Sequence, residues 1–347
     1  MRRNKFFEID EKKIKTIDID GMYKYYEKWS EYFISSTKFK VKYPEVKNIN
    51  QIILAGMGGS GIVGEIVYDL FSDIIDIKII KDYHIPKYIN TNALVIIISV
   101  SGNTEETVNI LKAGIKRKLN IVTISSNGLI ESISNENKIS HNKIENILVP
   151  RLSLPSILFT CLKIINKIGV VDNEIDIQNS IKNIIKIVKT ISIKKSGPKN
   201  IAKQISLKIN NYIPVIYTSK LTRSIGVRFK QSLNENSKTH GILEELPELC
   251  HNEISCWTKN KDSFIPILIR DKDEPNHIKL RFTFIKNMLK SNNIQFIELL
   301  VRGEDKLSRI LTGIYILDYV SFYLAILNNI NPTTTNNINN LKEFLKK

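Results

Sequence analysis

Cysteine is scarce in this sequence: three in 347 residues, at Cys161, Cys250 and Cys256. That is too few for a disulfide framework. The longest clean apolar stretch, Ala93 to Ile98, is far short of the roughly 20 residues that a membrane-spanning helix needs. The opening segment, Met1 to Glu8, lacks the apolar core of a signal peptide. Acidic residues are in deficit, 35 against 51 lysines and arginines, for a net charge of +16. The lysines are nevertheless spread through the chain among isoleucines and asparagines, with no basic tail and no zinc-finger or RNA-binding signature. That spread fits solvated faces better than a nucleic-acid or membrane surface. Metal-ligand spacing is absent too. His84, His141, His240 and His277 are scattered, and Cys250, His251 and Cys256 lack a fourth ligand at a standard interval. The expectation is a cytoplasmic globular protein that uses no metal and binds neither nucleic acid nor membrane.

Two loops stand out, each placed after a buried-strand pattern and before a helix start. The first is Gly56-Met57-Gly58-Gly59-Ser60-Gly61, following Ile52-Ile53-Leu54-Ala55. The second is Ser99-Val100-Ser101-Gly102-Asn103-Thr104, following Ala93 to Ile98. A helix N-terminus presents unpaired N–H groups and the positive end of its dipole, so it attracts anions. Glycine lets backbone approach the anion closely, and serine and threonine hydroxyls add donors. Gly56, Gly58 and Gly61 also match the dinucleotide pattern G-x-G-x-x-G, with Asp82 placed where an acidic ribose ligand can sit. Taken alone, that loop leaves a dinucleotide, a sugar phosphate and a purely structural turn open. The second hydroxyl-rich loop tips the balance, because a dinucleotide fold has no need of it. Thr104 is read there as a helix cap that accepts a backbone N–H.

Ionisable residues break the apolar periodicity in the second half. Glu235 lies between Asn234 and Asn236, whose amides can orient a carboxylate without protonating it; this makes it a candidate general base. His251 follows the turn Leu246-Pro247-Glu248-Leu249-Cys250 and is a candidate proton shuttle near neutral pH. The competing reading of each is bland: a solvated helix carboxylate and a helix-cap histidine.

Residues 1–45 read mostly as helix, with Tyr23, Tyr26, Trp29, Tyr32 and Phe33 on a packed face. Strands are expected near 51–55, 75–80, 94–99, 119–124 and 145–149, alternating with helices near 60–71, 104–117 and 128–134. A helical stretch over 154–192 ends at Ser196-Gly197-Pro198. A second α/β pattern follows, with strands near 213–218, 264–269 and 295–301 and helices near 223–233, 275–291 and 306–329. Apolar strands alternating with helices argue for parallel sheets covered on both faces. The chain divides on this reading into residues 1–152 and residues 153–347.

Taken together, these segments resemble the bifunctional phosphoglucose/phosphomannose isomerases, a branch of the sugar isomerase (SIS) superfamily. The likeness runs over roughly residues 45–335. It rests on the two loops above and on Asp82-Tyr83-His84-Ile85-Pro86, Asn234-Glu235-Asn236-Ser237-Lys238, Leu246 to Ile254 and Asp318 to Ala325. The resemblance implies two SIS-type, flavodoxin-like parallel-sheet αβα sandwich subdomains and a homodimer with active sites shared between chains. It implies a phosphorylated hexose as substrate, no cofactor, and interconversion of glucose 6-phosphate with fructose 6-phosphate, extending to mannose 6-phosphate. Phosphate binding falls to Gly59, Ser60, Ser99, Ser101 and Thr104. Glu235 becomes the base moving a proton between C2 and C1, and His251 the ring-opening residue from the partner chain. The family's Pro-Arg pair, which stabilises enediolate charge, is read as Pro155-Ser156 here, with Arg151 as a replacement from a shifted loop. The rivals are a non-catalytic SIS sugar-phosphate sensor and an aminosugar-phosphate isomerase or deglycase.

Overall fold

The computed structural model describes residues 9–171, 177–258 and 261–345. The opening residues, read above as lacking a signal peptide, lie outside the described part up to position 8. The described chain has α1 (Glu11–Ile17) and α2 (Met22–Glu27) as its first α-helices. It then divides by internal contacts into two units. One runs from Lys28 to Ile181; the other joins the described residues up to Glu27 with those from Lys182 onward. This differs from a cut at 152/153. Tyr26 of α2 packs its ring on Tyr319 and Phe322 late in the chain, whereas on the next helix Trp29 packs on Phe33 and Phe33 on Phe159. One aromatic run thus feeds two cores.

The first unit contains α3 (Trp29–Lys38), β1 (Gln51–Ala55), α4 (Gly58–Phe71), β2 (Asp76–Ile80), β3 (Ala93–Ile98), α5 (Glu105–Lys116), β4 (Asn120–Ser125), α6 (Gly128–Glu136), β5 (Ser140–Lys143) and α7 (Leu154–Ile168). The sheet order is β2-β1-β3-β4-β5, every pairing is parallel, and this is the flavodoxin-like winding. All six residues of β3 are buried, as a central strand covered on both faces requires. The last strand is not at 145–149. It is the polar segment Ser140-His141-Asn142-Lys143, at the sheet edge. Nor does helix extend to 45: α3 stops at Lys38, and the chain is irregular up to β1.

The stretch 154–192 is two helices. Left-handed Gly169 ends α7, and α8 (Ile177–Ile191) leads into the second unit. There follow α9 (Ile201–Ile209), β6 (Ile213–Thr218), α10 (Arg223–Ser232), β7 (Ile242–Glu245), β8 (Phe264–Asp271), α11 (Asn276–Ser291), β9 (Ile297–Val301), α12 (Lys306–Leu327) and α13 (Asn336–Phe344). The sheet order β7-β6-β8-β9 repeats the first unit's winding with one strand fewer, again all parallel. Helix α12 is long and apolar enough by composition to cross a membrane, yet its apolar window is wholly buried inside the protein. It is the central helix of this unit, packed on α9 and α10.

Candidate active site

In an open parallel sheet, ligands collect at the carboxyl ends of the two adjacent strands whose connections depart in opposite directions. In the first unit these strands are β1 and β3. The glycine loop follows β1 and the serine loop follows β3, so the fold delivers both to one crevice. They are linked directly: the Val100 N–H donates to Ser60 Oγ at 3.4 Å. Ser60 and Ser99 are buried, while Ser101 is exposed on the loop.

Helix α4 opens at Gly58 with no side-chain cap, which leaves its first N–H groups for a ligand. Helix α5 also lacks a side-chain cap. Thr104 does not cap it as expected, because its hydroxyl instead receives a hydrogen bond from Ser99 Oγ at 3.0 Å. The serine loop is held by Gly102, at φ +68, where a Cβ would lie 1.6 Å from the Asn127 carbonyl oxygen. Only glycine fits there. Asn103 ties the loop to α6 by accepting the Leu129 N–H at 3.0 Å.

Arg151 lies in the short 3-10 turn Pro150–Ser153 and is buried. Its backbone packs on the glycine loop: a Cβ on Gly59 would stand 2.9 Å from Arg151 Cα. Ser156 faces elsewhere, into a cavity of about 370 Å³ shared with Lys40, Lys42 and His141. Pro150-Arg151 is itself a Pro-Arg pair in a turn beside the glycine loop. Two residues missed in the sequence adjoin the same crevice. Lys81, at the end of β2, lies against Gly61 and pairs with buried Glu65 of α4. Burial holds its amine below the ordinary lysine range. Asp82, considered above as a ribose ligand, is exposed and accepts the N–H of its neighbour Tyr83.

Glu235 belongs to the second unit. Helix α10 runs into a single π-helical turn, Leu233–Ser237, a distortion that often marks functional positions. Glu235 is half-buried in that turn and lines a cavity of about 560 Å³ with Lys238, His240 and residues 334–338. The flanking asparagines hold the turn rather than aim at the carboxylate. Asn236 Nδ2 donates to Ser321 Oγ at 2.8 Å and to the Tyr26 hydroxyl at 3.3 Å. The Asn234 amide faces the carbonyls of Lys230 and Thr239. Arg228, two turns before Glu235, is fully buried and grips Asp318 of α12 through Nε (3.0 Å) and Nη2 (2.8 Å). Burial alone would lower its guanidinium, but the charge and hydrogen bonds of Asp318 hold it above its usual range.

His251 closes the 3-10 turn Glu248–His251 and is exposed. Its loop is anchored on both sides. Leu249 is buried in the core. Glu253 accepts a hydrogen bond from the Tyr217 hydroxyl, which in turn accepts one from Trp257 Nε1 at 2.6 Å. Burial raises the Glu253 carboxyl above its ordinary value. Among the described residues no group of three or more His, Cys, Asp or Glu side chains has metal-binding geometry.

Comparison with known proteins sets these features in a family. A bifunctional phosphoglucose/phosphomannose isomerase of Aquifex aeolicus is 31% identical over 335 residues, 95% of this chain and 97% of its own length. The chain belongs to that family. A namesake from Thermoplasma volcanium is also 31% identical, over 86% of this chain and 92% of its own. Residues 198–345 match the bacterial phospho-glucose isomerase C-terminal SIS domain, the part holding Glu235 and His251. In fold, the chain is similar to a glucose-6-phosphate isomerase like protein from Thermus thermophilus. That likeness has a TM-score of 0.64 and 13% identity, and covers 96% of this chain and 98% of the other.

Proposed function

We propose that this protein interconverts glucose 6-phosphate and fructose 6-phosphate, and mannose 6-phosphate by the same enediol. The observation that carries the reading is Glu235. In a chain with full-length membership of a sugar-phosphate isomerase family, this carboxylate sits on a π-turn that opens into a cavity.

The substrate phosphate is held by the N–H group of Gly59 and the hydroxyls of Ser60, Ser99, Ser101 and Thr104, the Ser60 N–H being bonded to the Met57 carbonyl at 3.0 Å. Binding energy at this remote group holds the reacting carbons in place. His251 opens the sugar ring by moving a proton between the ring oxygen and the anomeric hydroxyl. Glu235 then removes the C2 proton of the open aldose, and the electron pair shifts to place negative charge on O1. Arg151 stabilises that enediolate. Protonation at C1 by Glu235, with transfer of the O2 proton, yields the ketose. A base so placed typically contributes ~10²- to 10⁴-fold.

Topology supports a homodimer with shared sites. Glu235 lies in the connection leading into β7, and His251 in the loop leaving it. Within one chain they sit at opposite ends of a strand that is itself about 10 Å long. A partner chain's His251 meets the Glu235 that its own chain's His251 does not. A cytoplasmic site of action accompanies this reading.

The test is a coupled assay on purified protein supplied with fructose 6-phosphate, reading glucose 6-phosphate and mannose 6-phosphate. Turnover lost in Glu235→Gln supports the assignment. Equal turnover in that variant removes Glu235 as the base.

A further inference from the structure

The polar contacts beneath Glu235 form one connected ladder between α10 and α12. On α10 and its π-turn, Arg228, Ser232 and Asn236 recur at four-residue spacing, which places them on one helical face. On α12, Asp318 and Ser321 are three apart and likewise share a face. Asp318 Oδ1 accepts from Arg228 Nε at 3.0 Å and from Ser232 Oγ at 2.6 Å. Oδ2 accepts from Arg228 Nη2 at 2.8 Å. Ser321 Oγ donates to the Asp318 carbonyl at 2.7 Å and accepts from Asn236 at 2.8 Å. Arg228, Ser232, Asn236, Asp318 and Ser321 are all buried.

Such a network is costly to desolvate, and aliphatic side chains of similar volume commonly stabilise a core at least as well. What an apolar contact lacks is direction. A bidentate arginine fork sets the rotation and depth of one helix against another. Here the fork and Ser232 pin the last turn of α10, and Asn236 pins the far side of the π-turn. Glu235 is the residue between the two anchors. The ladder faces the core while Glu235 lines the cavity.

We propose that Arg228, held by Asp318, is a positioning residue for Glu235, fixing the π-turn so that the carboxylate meets the substrate carbon in reactive geometry. This rests on the assignment of Glu235 as the base. Neither Arg228 nor Asp318 touches substrate, so the effect is confined to the chemical step. The binding of the substrate phosphate, which belongs to the other unit, is untouched.

The experiment compares four variants with wild type for kcat and KM on fructose 6-phosphate, at a temperature where thermal melts show each folded. The variants are Arg228→Lys, Arg228→Met, the double variant Arg228→Met with Asp318→Leu, and Glu235→Gln. Arg228→Met alone leaves a buried carboxylate unpaired and is prone to unfold. The double variant removes both charges and keeps the proposal testable. It is expected to fold, to keep KM within about threefold, and to lose kcat by about ten- to a hundredfold. Arg228→Lys keeps the charge but not the fork, and is expected to fall between wild type and the double variant. A folded double variant with wild-type kcat overturns the proposal and leaves Glu235 as the base. A fully active Glu235→Gln overturns the base assignment itself. Equal loss through KM instead of kcat also overturns positioning, because it places the pair in substrate binding.

Discussion

Replacing Gly59 with alanine tests the contact between the glycine loop and the turn that carries Arg151. Gly59 is the second residue of α4, and alanine at a helical position is favoured over glycine by about 1 kcal/mol. Local preference alone therefore predicts a small gain in stability. The tertiary contact predicts a loss of activity. The new methyl would lie 2.9 Å from Arg151 Cα and 3.3 Å from both its N and its Cβ. These are backbone and near-backbone atoms that cannot rotate away, and the closest falls about 0.5 Å short of ordinary van der Waals contact. Either the Arg151 turn or the start of α4 must shift by that amount. A misplacement of 1 Å can cost roughly a hundredfold in rate, so about tenfold in kcat/KM is the expected loss. The assay is steady-state turnover of fructose 6-phosphate beside a thermal melt. Wild-type kcat/KM within twofold, together with a raised melting temperature, would refute the packing of Arg151 on the loop.

Gly102→Ala puts a methyl on the Asn127 carbonyl oxygen at a positive φ; it should raise KM by tenfold or more through loss of the phosphate loop, and an unchanged KM would count against that loop. If sites are shared between chains, mixing Glu235→Gln with His251→Ala subunits should restore up to about a quarter of wild-type activity, since half the dimers are mixed and one of their two sites is intact; no recovery on mixing and re-association would place both residues in one chain's site. Burial depresses the Lys203 amine to about 8, where its Nζ donates to the Ile193 and Lys195 carbonyls. The unfolded chain therefore binds the extra proton between about pH 8 and the ordinary lysine value near 10.5, so stability rises with pH across that window relative to Lys203→Met. Parallel stability profiles for the two proteins would contradict this.

The parts of the fold visible in the sequence are those built from continuous apolar runs. Strands β1, β3 and β6 lie within a residue of their expected places because each is buried on both faces and ends at a loop of small or polar residues. Strand β5 was displaced because its residues, Ser140 to Lys143, are polar, and the apolar run Ile147-Leu148-Val149 just beyond it draws the reading away. The crevice was legible because glycines and hydroxyls cluster in sequence as well as in space. The role of Asn236 beside Glu235 was not, since its partners Tyr26 and Ser321 lie 210 and 85 positions away. Arg228 was hidden for the same reason: its partner Asp318 is 90 residues distant. The contact-defined units differ from a cut at 152/153 because Tyr26 of α2 packs on Tyr319 and Phe322 of α12, far along the chain, which no local pattern records.

Proton transfer by Glu235 is the centre of the account, and proton NMR of fructose 6-phosphate incubated with the EDTA-treated protein in deuterium oxide tests it most directly. The account predicts solvent deuterium at C1 of the ketose and C2 of the aldose with wild-type protein, and none with Glu235→Gln. Deuterium uptake and turnover unchanged in Glu235→Gln would mean that another group is the base, and that result contradicts the account.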